Sequence, residues 1–494
     1  MDKSKSLLEP ALLSINPMKI QSFIKDQYSL IPVEVEVSCI NGTHDFDIMG
    51  QPDAMIKEIK SKVFSSFRSS GLEVPTQKKI FINLRPNHIK KSSLGLDLPI
   101  ALGILWETGQ LPLPKQEMPF VYGELGLDAK VYQPLDIDFI EAKLLEDDYL
   151  YTGPSSAPLD FARFEFASLK EFAAGSCVEA EVLNYKQSYP DADEIYISRE
   201  LADLTAVIAI GEHSAIFAGP KGSGKSTIVE NLAKALKPLD TEHFSELKQI
   251  GKYFGEDRQH RPIVSPHHSS TEISMIGGGA KAIPGEFTRA HGGVLIMDEF
   301  LEFPTRVQEA LREPMEAGKI HLARAGERRT HPADFLLLAT SNLCPCGDFY
   351  PAQKNRCVCR LTARQRYIEK LSGPVLDRFQ IFHYAANVKD CDEVYLPSHI
   401  QAIHQRQAEF ANESLSSKVK LSDIEERLHE KTDLNKNQYF GNLSRRRKKA
   451  CFQLALSFSR WRGENRIRQE DFDKALVYSV KNFEQFRYAI SKSL

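Results

Sequence analysis

Three short apolar runs mark the middle of the chain: residues 214–218, 293–297 and 335–339, each ending in polar residues. Runs of this length, apolar on both faces, predict strands of a parallel sheet covered by helices on both sides. The first part of the chain is patterned differently. Val33 to Val37 alternates Val and Glu, which predicts a half-buried strand, and Asp45 to Met49 and Ile80 to Leu84 are further strand candidates. Between them Ile56, Ile59, Val63, Phe64 and Phe67 recur with helical period and are closed by Gly71. Asp97 is expected to cap an apolar helix from Leu98 to Leu105 with Pro99 in its first turn. Near the end Ala450, Cys451, Leu454, Ala455, Phe458 and Trp461 again keep helical period. These patterns predict an α+β unit over 1–190, an α/β core over 191–390 and a helical segment over 391–494. Residues 153–195, with Pro154, Pro158, Gly175 and Pro190, read as a linker or a divergent edge.

Chemistry enters where the first apolar run ends. It leads directly into Gly219-Pro220-Lys221-Gly222-Ser223-Gly224-Lys225-Ser226-Thr227. A Gly-x-x-x-x-Gly-Lys-Ser segment after a strand is a phosphate-binding loop: the glycines let backbone N–H groups turn inward onto phosphate oxygens, and the following helix adds its positive N-terminal end. Lys225 then reaches the β and γ phosphates, and Ser226 holds Mg²⁺. The second run ends in Asp298-Glu299. Its strand is expected to lie beside the phosphate-loop strand and to end at the same sheet edge. Asp298 then completes the Mg²⁺ shell through water, and Glu299 polarises the attacking water. The two motifs together predict an NTPase.

Other features are less specific. Lys319 to Arg324, a turn at Ala325-Gly326-Glu327 and Arg328 to Thr330 form a hairpin by pattern, with Arg324, Arg328 and Arg329 at its tip. Such a tip suits phosphate contacts or simple solvation. Cys344, Cys346, Cys357 and Cys359 are clustered, whereas Cys39, Cys177, Cys391 and Cys451 are scattered. Four thiolates suit tetrahedral zinc, with redox chemistry and plain buried thiols as the competing accounts. His267 and His268 are consecutive, so an extended backbone points them to opposite sides, against joint metal ligation.

Several segments carry a resemblance. Asn41-Gly42, Gly50-Gln51-Pro52-Asp53-Ala54, the run from Asp97 to Leu105, Tyr122-Gly123-Glu124-Leu125-Gly126-Leu127, Arg261 to Ser270, and Leu311-Arg312-Glu313-Pro314-Met315-Glu316-Ala317-Gly318 are similar to the magnesium-chelatase-like AAA+ ATPases of the YifB/ComM family. The resemblance covers about residues 33–480. It implies an AAA+ core with a Lon-protease-like (ribosomal S5 domain 2-like) N-terminal domain and a helical lid, using ATP and Mg²⁺. It places Asn342 as sensor 1, Arg378 as an arginine finger serving a neighbouring subunit, and Arg446 as sensor 2. Gly277, Gly278 and Gly279 fall in a loop expected to be a flexible tip near DNA, and the arginine hairpin is expected to face the pore of a ring, most often a hexamer. The implied activity is helicase-type branch migration that helps integrate strands during natural transformation. A Lon-type protease needs a Ser-Lys dyad, and only Ser92 or Ser93 beside Lys91 offers one; adjacent residues rarely face each other, so a solvated loop is the better reading. A metal-chelatase motor subunit is a further alternative. The segment from Asp203 to His213 departs from the family's adenine-contacting pattern, leaving ATP against GTP open.

Composition narrows this little. The formal charge of −3 requires any nucleic acid to be met by local basic patches. No apolar run approaches a membrane span, and the segment Met1-Asp2-Lys3-Ser4-Lys5 has no signal-peptide character, so a cytoplasmic location is expected.

Overall fold

The computed structural model describes residues 17–26, 29–43, 45–50, 58–87, 95–137, 140, 144, 148–155, 159, 161–180, 182, 189–279, 282–324, 327–349, 357–385, 392–429, 432, 440 and 443–485. Lys91, Ser92, Ser93, Cys391, Asn442 and the hairpin turn at Ala325-Gly326 lie outside these residues. Among them no helix is long and apolar enough to cross a membrane. The chain divides into two compact units, Met1–Lys186 and Gln187–Leu494.

The first unit is built on a mixed eight-stranded sheet. Its strands run in the order Val178–Ala180, Arg163–Glu165, Leu150–Thr152, Phe120–Val121, Met18–Asp26, Ser29–Asn41, Lys78–Arg85 and Asp45–Met49. The Val/Glu alternation does what its period requires: Val33, Val35 and Val37 are buried on one face, and Val35 and Val37 pair with Leu84 and Ile82. Helices Ile59–Ser70 and Asp97–Glu107 cover that face. Gly103 is required there, because a Cβ would stand 2.6 Å from Val37 Cγ2.

Two expectations change. Asp97 is not the helix cap; Leu96 occupies that position. Asp97 is buried as an anchor instead, paired with Lys62 and accepting hydrogen bonds from Leu98 N and Leu125 N, each at 3.0 Å. The segment expected to be a linker or a divergent edge contributes strands Arg163–Glu165 and Val178–Ala180 to the end of the sheet, three-residue elements too short to leave a periodic signal.

The second unit is centred on a five-stranded parallel sheet ordered Ile263–Val264, Val294–Met297, Leu336–Ser341, Ala215–Ala218 and Ile381–Tyr384. All three apolar runs are therefore sheet strands. The strand ending in Asp298-Glu299 does not lie beside the phosphate-loop strand as expected; Leu336–Ser341 is inserted between them. Chain order says nothing of lateral order here, since every parallel connection must cross over.

The helical segment after residue 391 does not separate from this core. Helices Leu396–Glu409 and Arg445–Trp461 share one apolar cluster with helix Arg199–Gly211 and the sheet. His213 is wholly buried within it, its Nε2 2.7 Å from Ser457 Oγ, and burial pushes the imidazole down to about 4. Arg447 fastens the long helix from inside. It donates to Phe379 O at 2.8 Å, Ser479 O at 3.3 Å and Asp377 Oδ1 at 3.3 Å, and its guanidinium lies 3.9 Å from the Phe483 ring centre. One cation of the run from Arg445 to Lys449 is thus interior. Replacing it strands two carbonyls and leaves Asp377 without this partner, so Arg447→Met is expected to cost about 3 kcal/mol. The urea midpoint should fall with an unchanged m value, while exposed Lys449→Met leaves the midpoint in place.

Candidate active site

The carboxyl ends of the central strands gather the predicted nucleotide residues. The loop after Ala215–Ala218 turns through Gly222 and Gly224 at φ 74° and 78°, a backbone that side-chain-bearing residues avoid. Gly219 is needed for closeness: a Cβ would come within 2.4 Å of Ala385 O. Gly224 is the N-cap of helix Lys225–Lys234, whose first turn supplies free N–H groups.

Lys225 is 8% exposed, and among the described residues it meets neutral oxygens at hydrogen-bond distance: Pro220 O at 2.7 Å, Gly219 O at 3.1 Å and Ser223 Oγ at 3.4 Å. Desolvation lowers its pKa, while the more distant Asp298 and Glu299 raise it. A buried ammonium on carbonyls is a charge suited to an anion.

On the opposing side Ser226 Oγ lies 3.0 Å from Asp298 Oδ1. That oxygen also receives the hydroxyl of Thr340, whose Oγ1 in turn accepts from Glu299 N at 3.1 Å. Thr340 fixes both acids at once. The strand order supplies its role, because Leu336–Ser341 lies directly beside the strand that ends in the two acids. Glu299 adopts φ 52° without being glycine, a left-handed conformation that costs energy and collects at functional positions. Its carboxylate is half exposed, with His268 Nδ1 3.9 Å from Oε2. The rings of His267 and His268 lie side by side, centroids 4.1 Å apart, rather than on opposite sides, because the segment turns and Ser269 Oγ holds His267 Nδ1 at 2.8 Å. Arg261, which opens that segment, grips buried Glu212 through two bonds of 2.6 and 3.0 Å, a structural clamp.

These donors fit a Mg²⁺-nucleotide. Lys225 and the loop N–H groups would hold the phosphates, and Ser226 with Asp298 the cation; Mg²⁺ would screen charge on the transferring phosphoryl group. Pro220, Lys221 and Thr227 flank the same turn.

Arg378 and Arg446 come together, which sequence did not anticipate. Both pair with Glu316, Arg378 Nη2 at 2.9 Å from Oε1 and Arg446 on the same oxygen. Desolvation pushes this carboxyl up, but the two guanidiniums outweigh it and hold the pKa below its usual range. Only 7% of the Arg378 side chain is exposed, and its buried Nε–H finds no acceptor among the described residues.

The remaining candidates fall in three places. Gly277 and Gly278 are not a flexible tip: both are buried and pair with Ile283–Pro284 in a two-stranded ribbon, where a Cβ on Gly277 would lie 2.2 Å from Ile283 O, and of the three glycines only Gly279 is exposed. The glycines serve close packing. Strands Lys319–Arg324 and Glu327–Pro332 form the predicted hairpin, fastened to the ribbon by His331 Nε2 at 2.8 Å from Ala282 O. Arg328 is exposed and Arg329 half-buried; the side chain of Arg324 lies outside the described residues. The four clustered cysteine sulfurs all lie within 4.8 Å of one another. Cys344 to Cys346 is 3.3 Å, and Cys357 is 3.6 Å from each, close to the ~3.8 Å edge of a zinc-thiolate tetrahedron. The donor set fits such an ion.

Thr340→Val removes the hydroxyl that orients both acids while preserving strand shape. Hydrolysis by this variant should fall at least about tenfold, with nucleotide affinity within about threefold. Steady-state turnover read beside equilibrium binding checks the split.

Family models agree with this geometry. One for the magnesium chelatase subunit ChlI matches residues 191–392, and a second, for subunit ChlI of Mg-chelatase, matches residues 33–137. The chain is 34% identical over 369 residues to the uncharacterized protein YifB of Salmonella typhimurium, covering 71% of this chain and 72% of the relative. It is 33% identical over 377 residues to YifB of Escherichia coli, covering 71% and 72%. It is 31% identical over 384 residues to the competence protein ComM of Haemophilus influenzae, covering 72% and 73%. With an AAA+-like α/β core and a matching set of phosphate-loop and acidic residues, the chain belongs to the YifB/ComM family of magnesium-chelatase-like AAA+ ATPases.

Proposed function

We propose that this ATPase is a ring motor on DNA, its hydrolysis driving helicase-type branch migration that supports strand integration in natural transformation. The observation that carries the reading is the arginine hairpin. It is inserted in the chain between the strand ending in Asp298 and the strand bearing Thr340, so it is continuous with both strands that shape the acidic pair. Exposed Arg328 and half-buried Arg329 offer screened phosphate contacts, and the name of one relative, a competence protein, agrees with the setting.

The ring reading rests on Arg378. An arginine finger spreads transition-state charge from outside the protomer that binds the nucleotide. Glu316 ties Arg378 to Arg446, so both guanidiniums act on one nucleotide, and a finger offered to a neighbour brings the lid arginine with it. The N-terminal unit, Lon-like by resemblance, serves assembly or substrate handling. A chelatase motor subunit is the second reading, favoured by the description of the matching family models.

Two experiments decide. Wild-type protein with ATP is expected to move a branched DNA junction, and Arg328→Glu with Arg329→Glu to weaken DNA binding about tenfold and to flatten its salt dependence. ATP turnover with no binding or movement of branched DNA contradicts the DNA reading and favours the chelatase one. Glu299→Gln and Arg378→Ala proteins, each inactive by about a thousandfold, should regain part of the wild-type ATPase rate when mixed. No recovery at any ratio contradicts a shared site.

A further inference from the structure

The cysteine cluster is joined to the phosphate loop. Strand Leu336–Ser341 ends at Ser341, whose carbonyl accepts from Gly219 N at 3.1 Å. The chain then passes Asn342, Leu343, Cys344, Pro345 and Cys346, and returns at Gly347, whose carbonyl accepts from Lys221 N at 2.8 Å. The loop's entry is thus bonded to both ends of one short arch, and Asn342 sits between the two anchors.

The arch is held in shape by its own cysteines. Gly347 N donates to Cys344 O at 3.0 Å and Phe349 N to Cys344 Sγ at 3.3 Å, with Gly347 at φ 78° making the turn. Cys344 is fully buried, and Phe349 packs beside the core with the Arg364 guanidinium 4.5 Å from its ring centre. Asp348 adds an ionic contact to Lys221 at 3.7 Å. The fourth side of the cluster, Cys357 and Cys359, leads straight into helix Leu361–Ile368. A tetrahedral cation would therefore cross-link the arch to that helix.

We propose that a zinc-type divalent cation on Cys344, Cys346, Cys357 and Cys359 is the strut that fixes the tip of the phosphate loop together with Asn342, so that its loss weakens nucleotide binding. The inference rests on the nucleotide site described above. Without the cation, four thiols and one turn must hold the arch, and Gly347 O can move away from Lys221 N. The cost falls on the loop that must present its N–H groups as a set. The sheet below does not depend on it, because its strands are paired along their own lengths.

The test compares three proteins: wild type, Cys357→Ser with Cys359→Ser, and Lys221→Pro. The first substitution removes two metal ligands from the exposed side of the cluster. The second removes the N–H donated to Gly347 together with the side-chain contact to Asp348, and leaves all four thiols. Metal content is read by elemental analysis and by the visible spectrum after cobalt exchange, nucleotide affinity by titration with a fluorescent ATP analogue, and fold by circular dichroism. One zinc per chain is expected in wild type and in Lys221→Pro, and none in the double serine variant. Both variants should bind the analogue about threefold to tenfold more weakly, the size of one lost hydrogen bond. Combining them should add little further loss, since each breaks the same strut. A folded, zinc-free serine variant with wild-type affinity overturns the strut while leaving the ATPase reading intact, as does wild-type protein that carries no metal yet binds nucleotide. Wild type that holds zinc but binds no nucleotide overturns the nucleotide reading, and the strut with it.

Discussion

The parallel pairing of strand Leu336–Ser341 with both Ala215–Ala218 and Val294–Met297 is the constraint on which the site depends. It sets the phosphate loop and the acidic pair one strand apart and puts Thr340 between them, where one hydroxyl reaches Asp298 and Glu299 N. The same strand continues into Asn342 and the cysteine arch, which returns to the loop at Lys221. Cradle, acids and Asn342 therefore leave a single sheet edge by three exits. Rigid, buried strands below and irregular backbone above is how a fold holds charged groups in register for phosphoryl transfer.

Charge is distributed to match. Lys225 is buried on neutral carbonyls and lowered by desolvation, an arrangement that pays only when an anion arrives. Arg378 and Arg446 are held by Glu316 at a cost visible in the orphaned Arg378 Nε–H. Arg447, next in the chain, is instead satisfied by backbone carbonyls and aromatic rings. Two adjacent arginines, Arg446 and Arg447, thus divide between the site and the core, and burial separates them where composition does not.

Much of this was legible in sequence. The phosphate loop, the Asp298-Glu299 pair, the arginine hairpin and the helix closed by Gly71 all rest on local rules, in which spacing and turn chemistry determine the geometry. What escaped depends on lateral or long-range placement. Strand order hid the role of Thr340, and a contact across 130 residues hid Glu316 as the partner of Arg446. Asp97 looks like a cap because caps are defined locally, yet its partners Lys62 and Leu125 come from elsewhere in the unit. The Gly277-Gly278-Gly279 run reads as flexible by composition, whereas two of its members are packed under a neighbouring strand. Glycine's freedom of φ and its small size give the same letter, and only the surroundings tell which is in use.

The central claim is that Asp298 and Glu299 divide the work on one Mg²⁺-nucleotide, the first binding and the second activating water. Single-turnover hydrolysis measured together with Mg²⁺-dependent ATP binding in Glu299→Gln tests it most directly. The account predicts affinity close to wild type with hydrolysis slowed about a hundredfold or more. Hydrolysis at the wild-type rate in that variant, or ATP binding lost along with it, would contradict the assignment.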